Sequence, residues 1–274
     1  MEKIKSVIDA AKKQSTKVNE NRSVPDISSS FIKKDNKEIK VDYKETRVLS
    51  LNEEHLEKNR IISFNKNDHL SLHFDILRTQ VLKKMKANNW KSIAVTSPIP
   101  ACGKTLVSIN LAMSIAHNTD TTAMLIDLDL RRPKVKKYLG LPAGPSLNDV
   151  INGDADISEA LINPDLERLV VLPTAKPVSH SSEVLSSKKL INLIDEIQNR
   201  YADRITVFDL TPLLGTDDAM TVLSQVDCVL VVIGNGMVSK SELEKSMKYI
   251  DSNKLLGTVL NKANTEQQKE YYDY

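Results

Sequence analysis

The sequence predicts an α/β fold in which helices cover both faces of a doubly wound, mostly parallel sheet. Six short runs carry that reading, at 92–96, 123–127, 169–172, 205–209, 228–233 and 255–260, because each is β-branched or apolar along most of its length. A strand with no polar face is buried on both sides, as in a parallel sheet. Segments of helical length lie between most of the runs, as at 104–116, 185–201 and 239–249, which is the alternation such folds require. A chain of 274 residues, 41% hydrophobic and 27% charged, is long enough for one substantial domain of this kind with appendages. Ligands of open α/β sheets bind beyond the carboxyl ends of the strands, so the chemistry is expected just after these runs.

At the N-terminus, Ile4, Val7, Ile8 and Ala11 recur at i, i+3, i+4 and i+7, which predicts a short helix over 2–13 with one apolar stripe. Lys3, Lys5, Lys12 and Lys13 make its other face basic, suited to a partner or to an anionic lipid surface. The alternative is a frayed tail, since so short a helix is marginal in water. Residues 12–44 are rich in Lys, Asn, Ser, Asp and Glu and poor in large apolar side chains, the composition of a flexible linker. Residues 1–62 are therefore read as an N-terminal region, 63–264 as the domain and 265–274 as a C-terminal tail. The domain opens with a helix over 69–87, where Leu70, Phe74, Leu77, Val81 and Met85 keep helical spacing. Trp90 anchors the turn before the first run.

The charge balance of 38 Lys and Arg against 36 Asp and Glu argues against a dedicated nucleic-acid binder, so no nucleic acid is expected as a partner. Cys102 and Cys228 lie too far apart for a C-x-x-C redox or zinc pattern, and no signal-peptide layout is present. A reducing cytoplasm is the expected compartment, with peripheral attachment at the inner face of the plasma membrane as an open alternative. The longest apolar runs fall well short of the ~20 residues that cross a bilayer. The five histidines show no metal-ligand spacing. Gly234-Asn235-Gly236 follows a strand, yet Ser239 breaks the third glycine of a dinucleotide fingerprint. His180 among serines lacks the nucleophile elbow of an acyl hydrolase.

The first run is followed by Ser97-Pro98-Ile99-Pro100-Ala101-Cys102-Gly103-Lys104-Thr105. Against G-x-x-x-x-G-K-[ST], only the first glycine is missing, and Pro98 stands there. A strand-to-helix turn ending in Gly-Lys-Thr aims backbone N–H groups and a helix N-terminus at a polyphosphate. Pro100, Ala101, Cys102, Gly103, Lys104, Thr105 and Leu106 are accordingly the expected cofactor-binding loop. Lys104 is expected to neutralise phosphate charge, and the Thr105 hydroxyl to bind Mg²⁺. The chain has only 8 glycines, so this loop must be shaped with few of them.

The second run ends in Asp127-Leu128-Asp129, and strand alternation sends both carboxylates to one side beside the loop. One such group can serve Mg²⁺ through water, and one can take the proton of an attacking hydroxyl. Asp209 ends a later run at the place of a Walker B acid. The catalytic candidates are therefore Lys104, Asp127 and Asp129, and the metal candidates are Thr105, Asp127 and Asp209. The competing reading is that each aspartate caps the turn or helix that follows it.

These motifs, in this order, resemble the bacterial tyrosine kinases of capsule and exopolysaccharide synthesis, a branch of the deviant P-loop ATPases that also holds septum-placement (MinD-like) and partition (ParA-like) ATPases. The likeness runs from about Ser63 to the C-terminus, and more loosely over Leu51 to Ile62. It rests on the loop Ser97 to Thr105, on Leu125 to Pro133, on Ser182-Glu183-Val184-Leu185-Ser186-Ser187, on Asp209-Leu210-Thr211-Pro212, on Asp217-Asp218-Ala219 and on Gly257 to Lys262. The resemblance implies a P-loop NTPase fold with a deviant Walker A loop, binding of ATP and Mg²⁺, and phosphoryl transfer to tyrosine. It adds Arg131 to the nucleotide site and places Asn261 where related ATPases read adenine. It also implies a membrane partner, a chain-length co-polymerase whose cytoplasmic tail activates the kinase.

Tyr271, Tyr272 and Tyr274 fill three of the last four positions, although tyrosine totals 7. In the kinases this sequence resembles, such a cluster is the autophosphorylation substrate. The alternative is a tail whose aromatics dock on a partner or on the domain. Three features depart from the family pattern. Ala101 and Cys102 stand where a glycine and a small or acidic residue are usual, and Thr211 replaces a proline. The oligomerisation motif Glu-x-x-Arg-x-x-Arg falls on Leu72, Asp75 and Arg78, where only Arg78 agrees. Ring assembly is therefore not carried over, and a homo-oligomer stays open. An ATP-dependent regulatory switch without kinase chemistry, and a partition-type ATPase, are the alternative functions.

Overall fold

The computed structural model describes residues 46–263 apart from 67 and 202. The predicted N-terminal helix, the linker at 12–44 and the tyrosine tail lie outside the described residues. All six predicted runs are strands of a single sheet, joined by two short strands that the pattern does not announce. In chain order they are β1 (Arg47–Val48), β2 (Ser92–Thr96), β3 (Thr122–Asp127), β4 (Ile162–Asn163), β5 (Leu169–Leu172), β6 (Arg204–Asp209), β7 (Cys228–Gly234) and β8 (Leu255–Asn261). Their order across the sheet is β1-β4-β5-β3-β6-β2-β7-β8, parallel throughout except for the antiparallel pair β4–β5. The fold is thus the α/β, mostly parallel sheet that the sequence predicts.

The helices are α1 (Glu53–Lys58), α2 (Ser71–Ala87), α3 (Lys104–Ala116), α4 (Val135–Leu139), α5 (Leu147–Asn152), α6 (Ile157–Ala160), α7 (Ser181–Leu185), α8 (Lys188–Arg200), α9 (Asp218–Leu223) and α10 (Lys240–Met247). Two apolar layers form the core. Ile93, Val95, Leu125, Val207 and Leu230 point to one layer with α3 and α2, whereas Ala94, Met124, Ile126, Phe208 and Val231 point to the other with α8 and α9. That split is the two-residue alternation of strands buried on both faces. α3 is buried almost all round, because it lies between the sheet and α2, and its turns therefore carry small residues such as Ser108, Ala112 and Ser114.

Residues before 63 also contribute to the core. Leu56 and Ile61 are fully buried in the core. Asn110 on α3 accepts from the backbone N–H groups of Ile62 and Ser63, each at 2.9 Å, and donates to the Arg60 carbonyl. A buried amide that meets four backbone partners, the Leu106 carbonyl included, fixes segment 60–63 against α3. Trp90 does anchor the turn before β2, its N–H on the Met85 carbonyl and its ring against the core. The start of β2 is held by Asp227, whose Oδ2 accepts from the N–H groups of Lys91 and Ser92 and from the Ser92 hydroxyl.

Candidate nucleotide and phosphoryl-transfer site

The three central strands β3, β6 and β2 are adjacent, and their carboxyl ends bring Asp127, Asp209 and the loop 97–105 together. Asp127 and Asp209 are register partners across the β3–β6 pair. The loop turns into α3 through Gly103, whose φ of 97° is left-handed. A Cβ there would overlap the Asn261 side-chain amide, so both conformation and space demand glycine. Ala101 also takes a left-handed φ of 66°, a conformation that costs an L-residue about 1–2 kcal/mol. The shape that a glycine would adopt freely is therefore imposed on an alanine. Ala101→Gly is expected to raise the thermal stability by about 1 kcal/mol, while Gly103→Ala lowers it by about 1–3 kcal/mol. Paired melting curves check both signs, and a destabilised Ala101→Gly would refute the strain.

Lys104 is 8% exposed and its ammonium donates to Asp129 Oδ2 at 2.6 Å. Burial pulls its pKa down, but the charges of Asp209, Asp129 and Asp127 together outweigh that and hold it above the ordinary lysine value. The ammonium is thus a permanent positive charge at the start of α3. Asp129 is buried too, with its other oxygen on the Arg132 N–H at 3.0 Å.

Asp209 accepts from the Ser108 hydroxyl at 3.1 Å through Oδ1. Its Oδ2 is buried without a well-formed hydrogen bond, and the Thr105 hydroxyl nearby favours the charged form. Burial nevertheless raises the Asp209 pKa above the usual carboxylate range. A dehydrated carboxylate oxygen beside a threonine hydroxyl at a phosphate loop fits a hard cation, which takes oxygen ligands. Among the described residues no three His, Cys, Asp or Glu groups converge as a metal cluster. Mg²⁺ commonly takes one or two carboxylates together with substrate phosphates.

Asp127 does something the sequence listed only as the competing reading. Its Oδ2 accepts from the N–H groups of Lys134 and Val135, both at 3.0 Å, and its Oδ1 from the Asp129 N–H at 3.2 Å. It caps the start of α4 and shapes the turn that carries Asp129 and Arg131. It is fully buried, and burial with the Asp209 charge pushes its pKa well up against those N–H groups.

Arg131 forms a two-pronged pair with the buried Asp218, Nε at 2.9 Å and Nη2 at 3.0 Å. Asp218 also accepts from the Ser181 hydroxyl at 2.7 Å, and Ser182 donates to Asp217. The two short motifs around 182–187 and 217–219 thus meet at the end of β3. Asn261, at the end of β8, donates from its side-chain amide to the Cys102 carbonyl at 2.9 Å, so it holds the loop 97–105 from the side.

A cavity of about 1230 Å³ opens above these groups. Pro100, Ala101, Gly103, Lys104, Thr105 and Leu106 form part of its wall, with Asp129, Arg131 and Asn261. Cys102, Asp127 and Asp209 are buried behind that wall. The sequence did not single out Ser108, although it stands one helical turn after Lys104, where its hydroxyl reaches both the Lys104 carbonyl and Asp209. It assigned no task to Asp218, inside one short motif, or to Ser181, next to another.

The model of the AAA domain family matches residues 90–262. The chain is 28% identical to the putative tyrosine-protein kinase CapB of Staphylococcus aureus, over 75% of this chain and 90% of that one. It is 30% identical to the tyrosine-protein kinase CpsD of Streptococcus agalactiae, over 74% of this chain and 87% of that one. The kinase domain of the Escherichia coli tyrosine kinase ETK shares the fold, with a TM-score of 0.67 at 21% identity over 82% of this chain and 92% of that domain.

Proposed function

Because the chain belongs to the AAA domain family, in the branch of the tyrosine-protein kinases CapB and CpsD, we propose that it binds ATP with Mg²⁺ and phosphorylates tyrosine, its own C-terminal tyrosines first. The observation that carries this reading is the Lys104 ammonium fixed among three strand-end carboxylates at the wall of a cavity. Such a site offers a phosphate a permanent cation, the N–H groups at the start of α3, and an acceptor-lined flank for a metal. Mg²⁺, when bound, would neutralise charge developing on the transferred phosphoryl group.

Each residue has a task in that scheme. The loop Pro100 to Leu106 cradles the phosphates, with Cys102 kept in place by Asn261. Thr105 and Asp209 hold the cation, and Asp127 adds negative charge behind them while it fixes the turn after β3. Asp129 takes the phenol proton as the tyrosine oxygen bonds to the γ-phosphorus and the bond to the β-phosphate oxygen breaks. Arg131, pinned by Asp218, steadies the charge at the rim. A transferred phosphate adds about −1.5 to −2 charges, which drives the modified tail away from this carboxylate-rich site.

The same reading assigns the chain to exopolysaccharide or capsule synthesis beside a membrane co-polymerase whose cytoplasmic tail activates it. No helix among the described residues is long and apolar enough to cross a membrane, which suits a catalytic subunit that a membrane partner recruits. Labelled ATP and Mg²⁺, with and without that partner tail, should yield phosphotyrosine in the wild type and none in Lys104→Ala or in a chain truncated before Tyr271. Absence of phosphotyrosine in every mixture would overturn the kinase reading, and phosphate release without labelled protein would replace it by an ATPase switch.

A further inference from the structure

Resting on the kinase reading, we propose that the basic segment after Asp129 selects tyrosines flanked by acidic residues, and that Arg132 and Lys134 are its specificity-determining groups. The segment reads Arg131-Arg132-Pro133-Lys134-Val135-Lys136-Lys137, five cations in seven positions. Arg131, Arg132 and Lys134 line the same cavity as Lys104 and Asp129, and all three are exposed. Their charges are not equivalent. Arg131 is already paired two-pronged with Asp218, whereas among the described residues neither Arg132 nor Lys134 takes part in an ion pair.

The backbone beneath them is fixed, which makes the charges a defined surface. The N–H of Arg132 is held by Asp129, and that of Lys134 by Asp127. The two carboxylates that anchor these residues therefore also set their distance from the position where the acceptor phenol loses its proton. In this proposal an acceptor peptide runs over this turn, where cations that form no ion pair among the described residues attract carboxylates on either side of the tyrosine. The acidic residues on the cavity wall outside the strand ends, Glu57 and Asp68, belong to the chain before the phosphate loop.

The chain's own acceptor has the matching charge. Around Tyr271, Tyr272 and Tyr274 stand Glu266, Glu270 and Asp273 against the single Lys269. Glu270 precedes the cluster and Asp273 lies inside it. Exposed pairs are individually weak, so the selection expected from two or three of them is about tenfold in kcat/KM, carried by KM and reduced at high salt.

The test uses the full chain with added tyrosine peptides whose flanking residues are acidic, amide or lysine. Phosphorylation kinetics and fluorescence anisotropy of binding are both read. Wild type should favour the acidic peptide about tenfold, and Arg132→Glu/Lys134→Glu should favour the lysine peptide. That inversion cannot come from damage to the fold, which would depress all peptides alike. Equal use of the three peptides by wild type, or an unchanged order in the double variant, would overturn the proposal. Charge-dependent binding without phosphorylation of any peptide would uphold the acidic recognition and sink the kinase reading instead. If the double variant loses only binding to anionic phosphatidylserine vesicles, with peptide selection intact, the patch serves a membrane and the proposal falls.

Discussion

Lys104→Met is expected to abolish phosphoryl transfer and to lower the stability of the ligand-free protein by about 3–5 kcal/mol, the cost of removing one partner from a buried ion pair. Both effects have one origin. The ammonium is 2.6 Å from Asp129 and is the cation that offsets three buried carboxylates. Methionine fills the volume and leaves those charges without compensation. The second variant, Lys104→Met/Asp129→Asn, separates the effects: it should recover a large part of the lost stability and none of the activity. Melting curves and phosphotyrosine blots on both proteins check this. A Lys104→Met protein as stable as wild type would show that the pair contributes nothing to the fold. The sign of the lysine's own linkage follows from its raised pKa. Its contribution is fully present below the ordinary lysine value of 10.5 and is lost as pH rises through the folded value above it.

Asp209→Asn is expected to lower phosphoryl transfer at least about 100-fold while raising the stability of the ligand-free protein at pH 8 by on the order of 1 kcal/mol. Asp209 Oδ2 is a buried acceptor lacking a well-formed hydrogen bond, and burial raises the pKa of the group. An amide nitrogen at that position donates to the Thr105 hydroxyl and carries no charge, and Lys104 keeps Asp129 as its partner. The pH dependence has a definite sign. A carboxyl whose folded pKa is raised binds more protons in the folded than in the unfolded state, so its favourable share is complete below the ordinary value of 3.8. That share is lost as pH rises through the folded value. Asp127 acts in the same direction. The advantage of Asp209→Asn over wild type should therefore shrink as pH falls from 8 toward 4. Denaturant titrations at a series of pH values measure it, and an advantage that grows toward acid would refute the account. In the presence of Mg²⁺ and nucleotide the order should reverse, because the charged carboxylate holds a divalent cation more strongly than a neutral amide oxygen.

The six long strands and α3 were legible in the sequence because strand burial on both faces and helical spacing are local patterns. β1, β4 and α1 were not, since two-residue strands carry no period and Leu56 joins the core only through the folded chain. The predicted helix over 185–201 forms as α8, which begins only at Lys188 because the Ser187 hydroxyl caps it by accepting from the Leu190 N–H, while Leu185 ends α7.

At the site, the sequence by itself determined which chemical groups stand at the strand ends: Lys104 after β2, Asp127 ending β3 with Asp129 just beyond it, and Asp209 ending β6. Position along a strand fixes which way a side chain leaves it, so these groups are set by neighbours a few residues away. Only the tertiary structure decided which of them pair. The order β3-β6-β2 places three carboxylates around one ammonium, and Lys104 can satisfy only so many of them at hydrogen-bond distance. It takes Asp129 and leaves Asp127 to backbone N–H groups and Asp209 to Ser108. Arg131 finds Asp218 87 positions away. Such choices depend on burial and on the length of the crossovers between strands, and neither is written in any short stretch of the chain.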